Sequence, residues 1–366
     1  MGKIYTALGL MSGTSMDGVD ASVIQTDGKF KYKVILDKYF KYPENIYNHL
    51  TLLRDKVKSS KDLKKYQKKI KSVEKDLTIF HAESVMKILK KTKLNIDFIG
   101  FHGQTIFHNA KEKITKQIGD GKLLSKITKK KVIFDFRQND LKKGGEGAPL
   151  TPIFHQMLQK KFNIKPVSFF NIGGILNRTT IGSKGELFAT DCGPGMCLID
   201  KWIRTNSKKK YDKSGSIARS GKVNKKILKK YLNSPRLLDT GKKSYDTNDF
   251  NISIVKNLSL KNGAATLTLY TANLFNTHFL TNESLKLKEK IILCGGGRKN
   301  KFLVSIIKSY NKSVKLVDDY GIDGDFVESQ AFGYLAVRSL LKLPISFPET
   351  TGCKKPTTGG VIIKNY

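Results

Sequence analysis

The fold is decided by one stretch near the start of the chain, Gly9-Leu10-Met11-Ser12-Gly13-Thr14-Ser15-Met16-Asp17-Gly18-Val19-Asp20. An apolar run from Ile4 leads into this stretch, and an alternating run that ends at Thr26 leaves it. Two strands joined by a turn rich in Gly, Ser, Thr and Asp are typical of a β-hairpin. We therefore expect the chain to begin with a hairpin whose first strand lies in the middle of a sheet.

The turn of this hairpin has the composition of a phosphate-binding loop. Its glycines let backbone N–H groups approach a ligand closely, and its hydroxyl side chains add donors. Carboxylates suit such a site mainly when a divalent cation or a reacting water lies beside the phosphate. An ordinary hairpin turn contains the same residue types, and a Walker loop is excluded because no Gly-Lys-Ser/Thr follows. The residues assigned to the phosphate site are Gly13, Thr14, Ser15, Met16, Asp17, Gly18, Val19 and Asp20, with Asp17 as a metal contact, directly or through water.

Length and composition predict a globular protein of the cytoplasm. The 366 residues can bury a large core and are expected to form two domains, and 39% hydrophobic residues exclude a disordered chain. No run of eighteen apolar residues or signal-peptide core occurs, so we expect no membrane association. The four cysteines are scattered, which fits neither a zinc site nor a disulfide framework.

Although the net charge is +36, we expect no specific nucleic-acid partner. Only eight of the 67 basic residues are arginine, the residue that most often reads phosphates and guanine. Lysines occur nearly everywhere outside the glycine-rich motifs, so they indicate a solvated surface. We expect only weak, salt-sensitive attraction to polyanions.

A polar cluster follows a predicted buried strand over residues 96–101. The pattern before it predicts a strand over 34–42 and helices over 44–58 and 61–91, with His81 packed on the second helix. The cluster itself is His102-Gly103-Gln104-Thr105-Ile106-Phe107-His108. Polar groups at the end of a strand form ligand sites in open α/β sheets, although a loop with a packed histidine is the alternative. Farther on, Asp120 is expected to cap a short helix.

Another predicted strand, from Val132, ends in the charged residues Asp135, Arg137 and Asp140. Two carboxylates and an arginine at a strand end suit the recognition of hydroxyl and carboxylate groups. A structural Asp–Arg pair would have the same spacing, and the residues alone do not favour either interpretation. A glycine-rich segment, residues 144–150, then leads into a helix.

A second set of strands, predicted over 167–171, 173–181 and 187–191, repeats the opening pattern of the chain. Its third strand delivers Asp191, and Gly193-Pro194-Gly195 then enters a helix whose N-terminus favours an anion. A carboxylate at this place could act as a general base, or it could simply cap the turn.

The last motifs lie in the second half of the chain. Gly295, Gly296 and Gly297, with Asn300, stand between a strand and a helix, and such a loop allows close approach of a flat base and a ribose. Glu328 lies in the first turn of the last long helix, where a carboxylate is favoured by the helix dipole. Residues 359–363 are predicted to join a sheet.

These motifs make the chain resemble the anhydro-N-acetylmuramic acid kinases, a family of the actin, hexokinase and heat-shock ATPase superfamily. The resemblance covers the opening turn, the His-Gly-Gln-Thr-Ile-x-His cluster, the Asp-Phe-Arg-x-x-Asp segment and the residues around Asp191, and it includes Thr240-Gly241. It implies an α/β fold of duplicated actin-like (ribonuclease H-like) domains with an ATP-binding cleft between them. We expect an N-terminal domain over 1–130, joined by the tail 350–366, and a C-terminal domain over 131–349.

The resemblance also implies the reaction and the roles of the residues. ATP and Mg²⁺ are the cofactors, and the sugar's anhydro bridge is opened by water while O6 is phosphorylated. Asp191 is the implied catalytic base. ATP is bound by the opening turn together with Gly193, Gly195, Gly295, Gly296, Gly297 and Asn300. The implied sugar-binding residues are His102, Asp135, Arg137, Asp140 and Glu328.

The chain departs from the family pattern at Cys192, where the family has Thr, and at Met196, where it has Asn. Two other functions stay open: a related sugar kinase with a plain hydroxyl acceptor, and a catalytically decayed, basic binding protein, which these two departures and the net charge of +36 suggest. The partners expected are small molecules, and the sequence leaves a monomer and a homodimer open.

Overall fold

The computed structural model describes residues 2–92, 95–233, 244–280 and 289–363. The chain forms two compact units, Met1–Lys161 with Phe326–Tyr366, and Phe162–Asp325. These bounds differ from the expected domains 1–130 and 131–349. Thr240 and Gly241 of the family pattern lie outside the described residues.

The first unit contains a seven-stranded mixed sheet. Its strands are β1 (Tyr5–Ser12), β2 (Gly18–Thr26), β3 (Tyr32–Lys41), β4 (Phe98–Asn109), β5 (Ile114–Ile118), β6 (Lys131–Phe134) and β12 (Val361–Ile363). Their order is β12-β6-β4-β1-β2-β3, with β5 paired to β4. β1 is central and nearly all buried, and it pairs antiparallel with β2 and parallel with β4. The predicted hairpin is thus confirmed, and β12 confirms that the tail joins a sheet.

Helices cover this sheet on both faces. They are α1 (Glu44–Lys56), α2 (Ser60–Lys65), α3 (Gln67–Lys91), α4 (Gly121–Thr128), α5 (Gln138–Lys142), α6 (Pro152–Phe162), α12 (Val327–Leu340) and α13 (Pro348–Thr351). Leu50, Leu77 and Val85 of α1 and α3 share a core with Leu8 and Phe101 of the strands. The predicted helix 61–91 is interrupted at Tyr66, which ends α2. Asp120 Oδ1 accepts the N–H groups of Lys122 and Leu123, which confirms the predicted cap of α4.

The helix α12 belongs to the first unit because two glycines let it approach the sheet. A Cβ atom at Gly9 of β1 would overlap the Ser329 carbonyl oxygen, and one at Gly100 of β4 would overlap that of Phe332. Backbone therefore packs on backbone at both crossings. This close packing places the residues after Phe326 on strands β1 and β4, which lie more than two hundred residues earlier in the sequence.

The second unit repeats the topology of the first. Its strands are β7 (Val167–Ile172), β8 (Ile175–Ile181), β9 (Leu187–Pro194), β10 (Lys290–Cys294) and β11 (Val314–Leu316). Their order is β11-β10-β7-β8-β9, with two parallel pairs followed by two antiparallel ones. In the first sheet the segment β6-β4-β1-β2-β3 has the same order and the same directions. The predicted α/β fold with duplicated actin-like domains is confirmed.

Five helices and several short 3₁₀ turns surround the second sheet in the described part of the chain. The helices are α7 (Cys197–Asn206), α8 (Ser216–Arg219), α9 (Lys225–Leu232), α10 (Leu260–Leu280) and α11 (Lys301–Tyr310). Trp202 of α7 packs against Gly263 of α10, where a Cβ atom would overlap the indole ring. No described helix is long and apolar enough to cross a membrane.

Candidate functional site

The opening turn is held in place from both sides. Met16 adopts a left-handed backbone conformation with φ 58°, its side chain is only 3% exposed, and its N–H donates to Gly13 O at 3.1 Å. The carbonyl oxygen of Asp17 accepts from Tyr42 N and from the Tyr39 hydroxyl, both at 2.9 Å. Because the turn is fixed in advance, little order has to be gained when a ligand binds.

The glycines of the turn have different environments. A Cβ atom at Gly13 would meet only Ser15 Oγ at 3.9 Å, whereas one at Gly18 would overlap the Phe40 carbonyl oxygen and the Tyr39 ring. Gly18 is thus explained by strand packing, and Gly13 is where a ligand can approach the backbone. Thr14 and Ser15 are exposed, whereas the side chain of Val19 is buried.

A buried polar network lies below this turn. Tyr42 Oη lies 2.7 Å from Ser12 Oγ, and Ser12 Oγ lies 3.2 Å from His81 Nε2. His81 Nδ1 lies 2.8 Å from the Leu77 carbonyl oxygen, an acceptor, so Nδ1 carries the proton and Nε2 accepts from Ser12. Burial lowers the pKa of His81 to about 4, which keeps this ring neutral near pH 7. His81 is packed, as the sequence predicted.

His102 and Arg137 form a pair in the first unit. Arg137 donates from Nε and Nη2 to His102 Nε2, at 3.1 and 3.0 Å, and from Nη1 to Gly147 O at 3.0 Å. His102 Nδ1 donates to Gly103 O at 2.9 Å, and Phe332 packs on the ring with centroids 4.4 Å apart. Both ring nitrogens of His102 are therefore engaged, and its direct effect is to orient the guanidinium of Arg137.

The two carboxylates of the same segment differ in their partners. Asp140 is buried, and its oxygens accept from Gly147 N and from the Thr351 hydroxyl, both at 2.7 Å. Asp135 is half-buried and has φ 58°, a strained conformation that is common at ligand sites. Burial raises the pKa of Asp135, while Lys142 and Lys116 act in the opposite direction. Asp140 thus supports the glycine-rich loop, and Asp135 is the better placed of the two to bind a sugar hydroxyl.

Asp191 lies near the end of β9 in the second unit. Its side chain is 9% exposed, and Oδ2 accepts from the N–H of Tyr245 at 2.7 Å. This backbone donor fixes the direction of the carboxylate, as a positioned general base requires. No sequence pattern pointed to Tyr245, because the contact uses only its backbone.

The turn after Asp191 is packed against the β7–β8 turn. The N–H groups of Gly195 and Met196 donate to the carbonyl oxygens of Gly174 and Gly173, at 3.0 and 2.8 Å. These two amides are thus already engaged, although the family resemblance implied that Gly195 binds ATP. Cys192 is buried in the apolar core, and Met196 packs against it, so both departures from the family pattern are accommodated by the core.

The glycine-rich loop after β10 has one open position. Gly295, with φ 80°, and Gly297 have no room for a Cβ atom, because Asn171 and Ile172 lie against them. Gly296 is exposed and has nothing within 4 Å of that position. Asn300 caps α11 by accepting Leu303 N at 3.0 Å, while its buried Nδ2 has no hydrogen-bond partner among the described residues. An open backbone beside an unpaired donor suits the predicted adenosine site.

Arg298 holds this loop to the acidic segment 318–325. The side chain of Arg298 is only 4% exposed. Its guanidinium donates hydrogen bonds to Asp318, Asp323 and Asp325 and to the carbonyl oxygen of Gly295. Although burial opposes it, the hydrogen bonds with Asp318 and Asp325 raise the pKa of Arg298, so its charge is permanent. No sequence pattern predicts this role of Arg298, because the three aspartates lie 20, 25 and 27 residues away.

Within the described residues no three His, Cys, Asp or Glu side chains gather as a metal site. Magnesium commonly enters kinases on the phosphates of ATP and takes only one or two carboxylates from the protein. Asp17, an exposed carboxylate beside Gly13 that accepts from Ser15 Oγ at 2.5 Å, fits that requirement.

The structure joins most of the first-unit candidates by contacts. Gln104 Nε2 donates to Gly13 O at 3.0 Å, so the His-Gly-Gln cluster touches the opening turn. Arg137 links the same cluster to Gly147, whose carbonyl oxygen accepts from Nη1. Gly147 N in turn donates to Asp140 Oδ2. Glu328 is half-buried at the first turn of α12. In the second unit, Asp191 and the loop around Gly296 are positioned by separate elements.

Comparison with known proteins gives consistent relatives. The family model described as anhydro-N-acetylmuramic acid kinase matches residues 5–365. An anhydro-N-acetylmuramic acid kinase of Pelagibacter ubique is 50% identical over 375 aligned positions, and one of Agrobacterium fabrum is 38% identical, with complete coverage of both chains in each case. Among solved structures, an activator of 2-hydroxyisocaproyl-CoA dehydratase from Clostridium difficile, with bound ADPNP, has a TM-score of 0.42 at 10% identity. That match covers 92% of this chain and 96% of the other. The match along nearly the whole sequence shows that the chain belongs to the anhydro-N-acetylmuramic acid kinase family.

Proposed function

We propose that this protein is an ATP-dependent kinase that converts 1,6-anhydro-N-acetylmuramic acid into N-acetylmuramic acid 6-phosphate. The observation that carries the proposal is the full-length identity of 50% to a relative of that name, together with the family match over residues 5–365. The reaction belongs to the recycling of cell-wall sugars. A cytoplasmic location accords with it, because ATP is a cytoplasmic metabolite.

The proposed reaction combines hydrolysis of the anhydro bridge with transfer of a phosphoryl group to O6. The oxygen of a water molecule attacks the anomeric carbon, and the bond between that carbon and O6 breaks. O6 takes the γ-phosphoryl group of ATP, ADP leaves, and the proton lost by the water goes to Asp191. A hydrogen bond from Tyr245 N fixes this carboxylate, which supports its assignment as the base.

The first unit supplies binding groups for both substrates. The exposed hydroxyls and the open backbone at Gly13 suit the phosphates of ATP. Magnesium ions bound with ATP supply neutralisation of the phosphate charge, and Asp17 is the residue proposed to hold them. Arg137, oriented by His102, suits the carboxylate of the sugar's lactyl group, since guanidinium and carboxylate form paired hydrogen bonds. Asp135 and Glu328 remain for sugar hydroxyls.

A purified-protein assay tests the proposal. With ATP and anhydro-N-acetylmuramic acid, we expect ADP release coupled to a 6-phosphorylated sugar, and much slower turnover of N-acetylglucosamine, which offers a plain O6 hydroxyl. Faster phosphorylation of the plain hydroxyl would instead identify a conventional sugar kinase, and absence of turnover with either sugar would favour the decayed binding protein.

Labelled water tests the chemistry of the ring opening. In ¹⁸O-water the label should appear on the anomeric carbon and not in the phosphate, because water attacks carbon. Finished product incubated in the same water corrects for exchange at the anomeric position. Label in the phosphate would show that water attacks phosphorus and would contradict the proposed reaction.

A further inference from the structure

Gln104 is a buried glutamine beside the opening turn. It lies in β4, opposite Ser12 of β1, and its side chain is 1% exposed. Its Nε2 donates to the carbonyl oxygens of Gly13 at 3.0 Å and Thr105 at 3.3 Å. Both partners can only accept, so the amide nitrogen must face them, and the orientation of the side-chain amide is fixed.

The other atom of this amide, Oε1, is buried and has no hydrogen-bond partner among the described residues. Leaving a buried acceptor unpaired costs free energy, so most such atoms in proteins have a partner. Because Oε1 only accepts, its partner must bring an O–H or N–H group. Ionised phosphate oxygens are thereby excluded, although the neighbouring turn has the composition of a phosphate site.

We infer that Gln104 is a specificity-determining residue whose Oε1 accepts a hydrogen bond from the sugar substrate. This inference rests on the proposed function. The anhydro bridge occupies O1 and O6 of the sugar, the lactyl ether occupies O3, and the lactyl group is ionised. Only the hydroxyl at C4 and the amide N–H at C2 remain as donors, so Gln104 selects one of these two groups.

The binding of three sugars to a matched pair of variants tests the inference. Gln104→Met keeps the length of the side chain and removes both the donor and the acceptor. Gln117→Met is the control, because Gln117 is a half-buried glutamine on the neighbouring strand β5 and donates to Thr105 and Thr115 hydroxyls. The sugars are anhydro-N-acetylmuramic acid, its 4-deoxy analogue and an analogue whose C2 amide is replaced by an ester. Titration calorimetry without ATP measures each affinity apart from catalysis.

We expect Gln104→Met to weaken the affinity for the full sugar by about 10-fold or more, and Gln117→Met to leave it unchanged. The loss should disappear with one analogue, the one that lacks the donor bound by Oε1, and that result identifies the group. An equal loss with all three sugars, or an unchanged affinity for the full sugar, would show that Gln104 only supports the turn or binds a buried water, and would overturn the inference.

A second variant, Gln104→Glu, tests the inference without relying on the folding of Gln104→Met. Gln104→Glu in its protonated form reproduces a donor to Gly13 O and an acceptor in place of Oε1. It should therefore recover sugar affinity at pH 5 relative to pH 8, and an affinity independent of pH would count against the inference. If the proposed function were wrong, the wild-type protein would neither bind nor phosphorylate the sugar, and this result differs from any failure of the inference on Gln104.

Discussion

Arg137 donates two hydrogen bonds to a single nitrogen atom of His102. Nε and Nη2 of the guanidinium lie 3.1 and 3.0 Å from Nε2 of the ring, while Nδ1 of His102 is committed to Gly103 O. Burial, and then the charge of Arg137, keep the pKa of His102 well below its usual value. The ring is therefore a neutral acceptor near neutral pH, and it acts as a positioning residue for Arg137.

The first prediction follows from this pair. His102→Leu removes the acceptor, so the guanidinium loses its orientation and the KM for the sugar should rise about 10-fold or more, with the KM for ATP nearly unchanged. His102→Gln retains an acceptor and should recover part of the loss. Steady-state kinetics with 1,6-anhydro-N-acetylglucosamine, which lacks the lactyl carboxylate, provide the control. If His102→Leu impairs that sugar equally, Arg137 does not bind the carboxylate.

The second prediction concerns the opening turn. Gly13→Val should fold, because its position has open space and no left-handed backbone, yet its side chain would occupy the place where phosphate oxygens approach. We expect the KM for ATP to rise at least about 10-fold and the melting temperature to change little. Gly2→Val, at another open glycine, is the matched control. Normal ATP binding by the folded Gly13→Val protein would exclude a phosphate role for the turn.

The parts of the fold that the sequence predicted depend on local pattern. Glycine and small polar residues marked the hairpin turn, and residue periodicity marked the strands and helices on either side. The unit boundary was not predictable in this way. It depends on the packing of α12 against Gly9 and Gly100, which only the folded chain brings together.

The candidate site shows the same division. The types of residue at the strand ends were informative, but their partners were not. Asp140 accepts from Thr351, 211 residues away in sequence, and the importance of Gln104 and Arg298 lies in contacts with residues 91 and 20 positions away. The residue types at the strand ends therefore indicate which groups are present in the site, but they do not separate the residues that bind ligands from those that position other residues.

The third prediction concerns Arg298. Arg298→Met leaves Asp318, Asp323 and Asp325 without their shared cation and releases Gly295 O, so the loop around Gly296 should lose its position. The KM for ATP should rise about 10-fold with a smaller effect on kcat, and Arg298→Lys should be intermediate because it keeps the charge without the planar fork. Arg219→Met, at an arginine that lies over the ring of Phe302, is the control. A variant that changes kcat alone would contradict a role in nucleotide positioning.

The fourth prediction is a loss of stability in acid. Burial lowers the pKa of His81 to about 4 and that of His155 to about 3, whereas an unfolded histidine titrates near 6.5. Below pH 6.5 the unfolded chain therefore binds more protons, so this contribution is complete above pH 6.5 and is lost as the pH falls. Between about pH 6 and pH 4 each histidine should lower the free energy of unfolding by about 1.4 kcal/mol per pH unit. Urea unfolding across this range measures the slope, which His81→Gln should reduce. An unchanged slope in that variant would show that His81 is not neutral in the folded protein.

The last prediction concerns Asp191, whose Oδ2 accepts from Tyr245 N at 2.7 Å. Asp191→Asn preserves this contact, because the amide oxygen also accepts, but it removes the group that takes the proton from the attacking water. We expect the variant to bind ATP and sugar normally and to turn over at least about 100-fold more slowly, since general-base catalysis typically contributes about 10²–10⁴ in rate. Asp249→Asn is the control, because Asp249 likewise accepts a backbone N–H, from Asp246 at 3.0 Å, and has no proposed part in the reaction. Calorimetric binding and single-turnover kinetics separate the two effects. A kcat within a few-fold of wild type would remove Asp191 from the mechanism, whereas loss of sugar binding with an unchanged single-turnover rate would make it a binding residue.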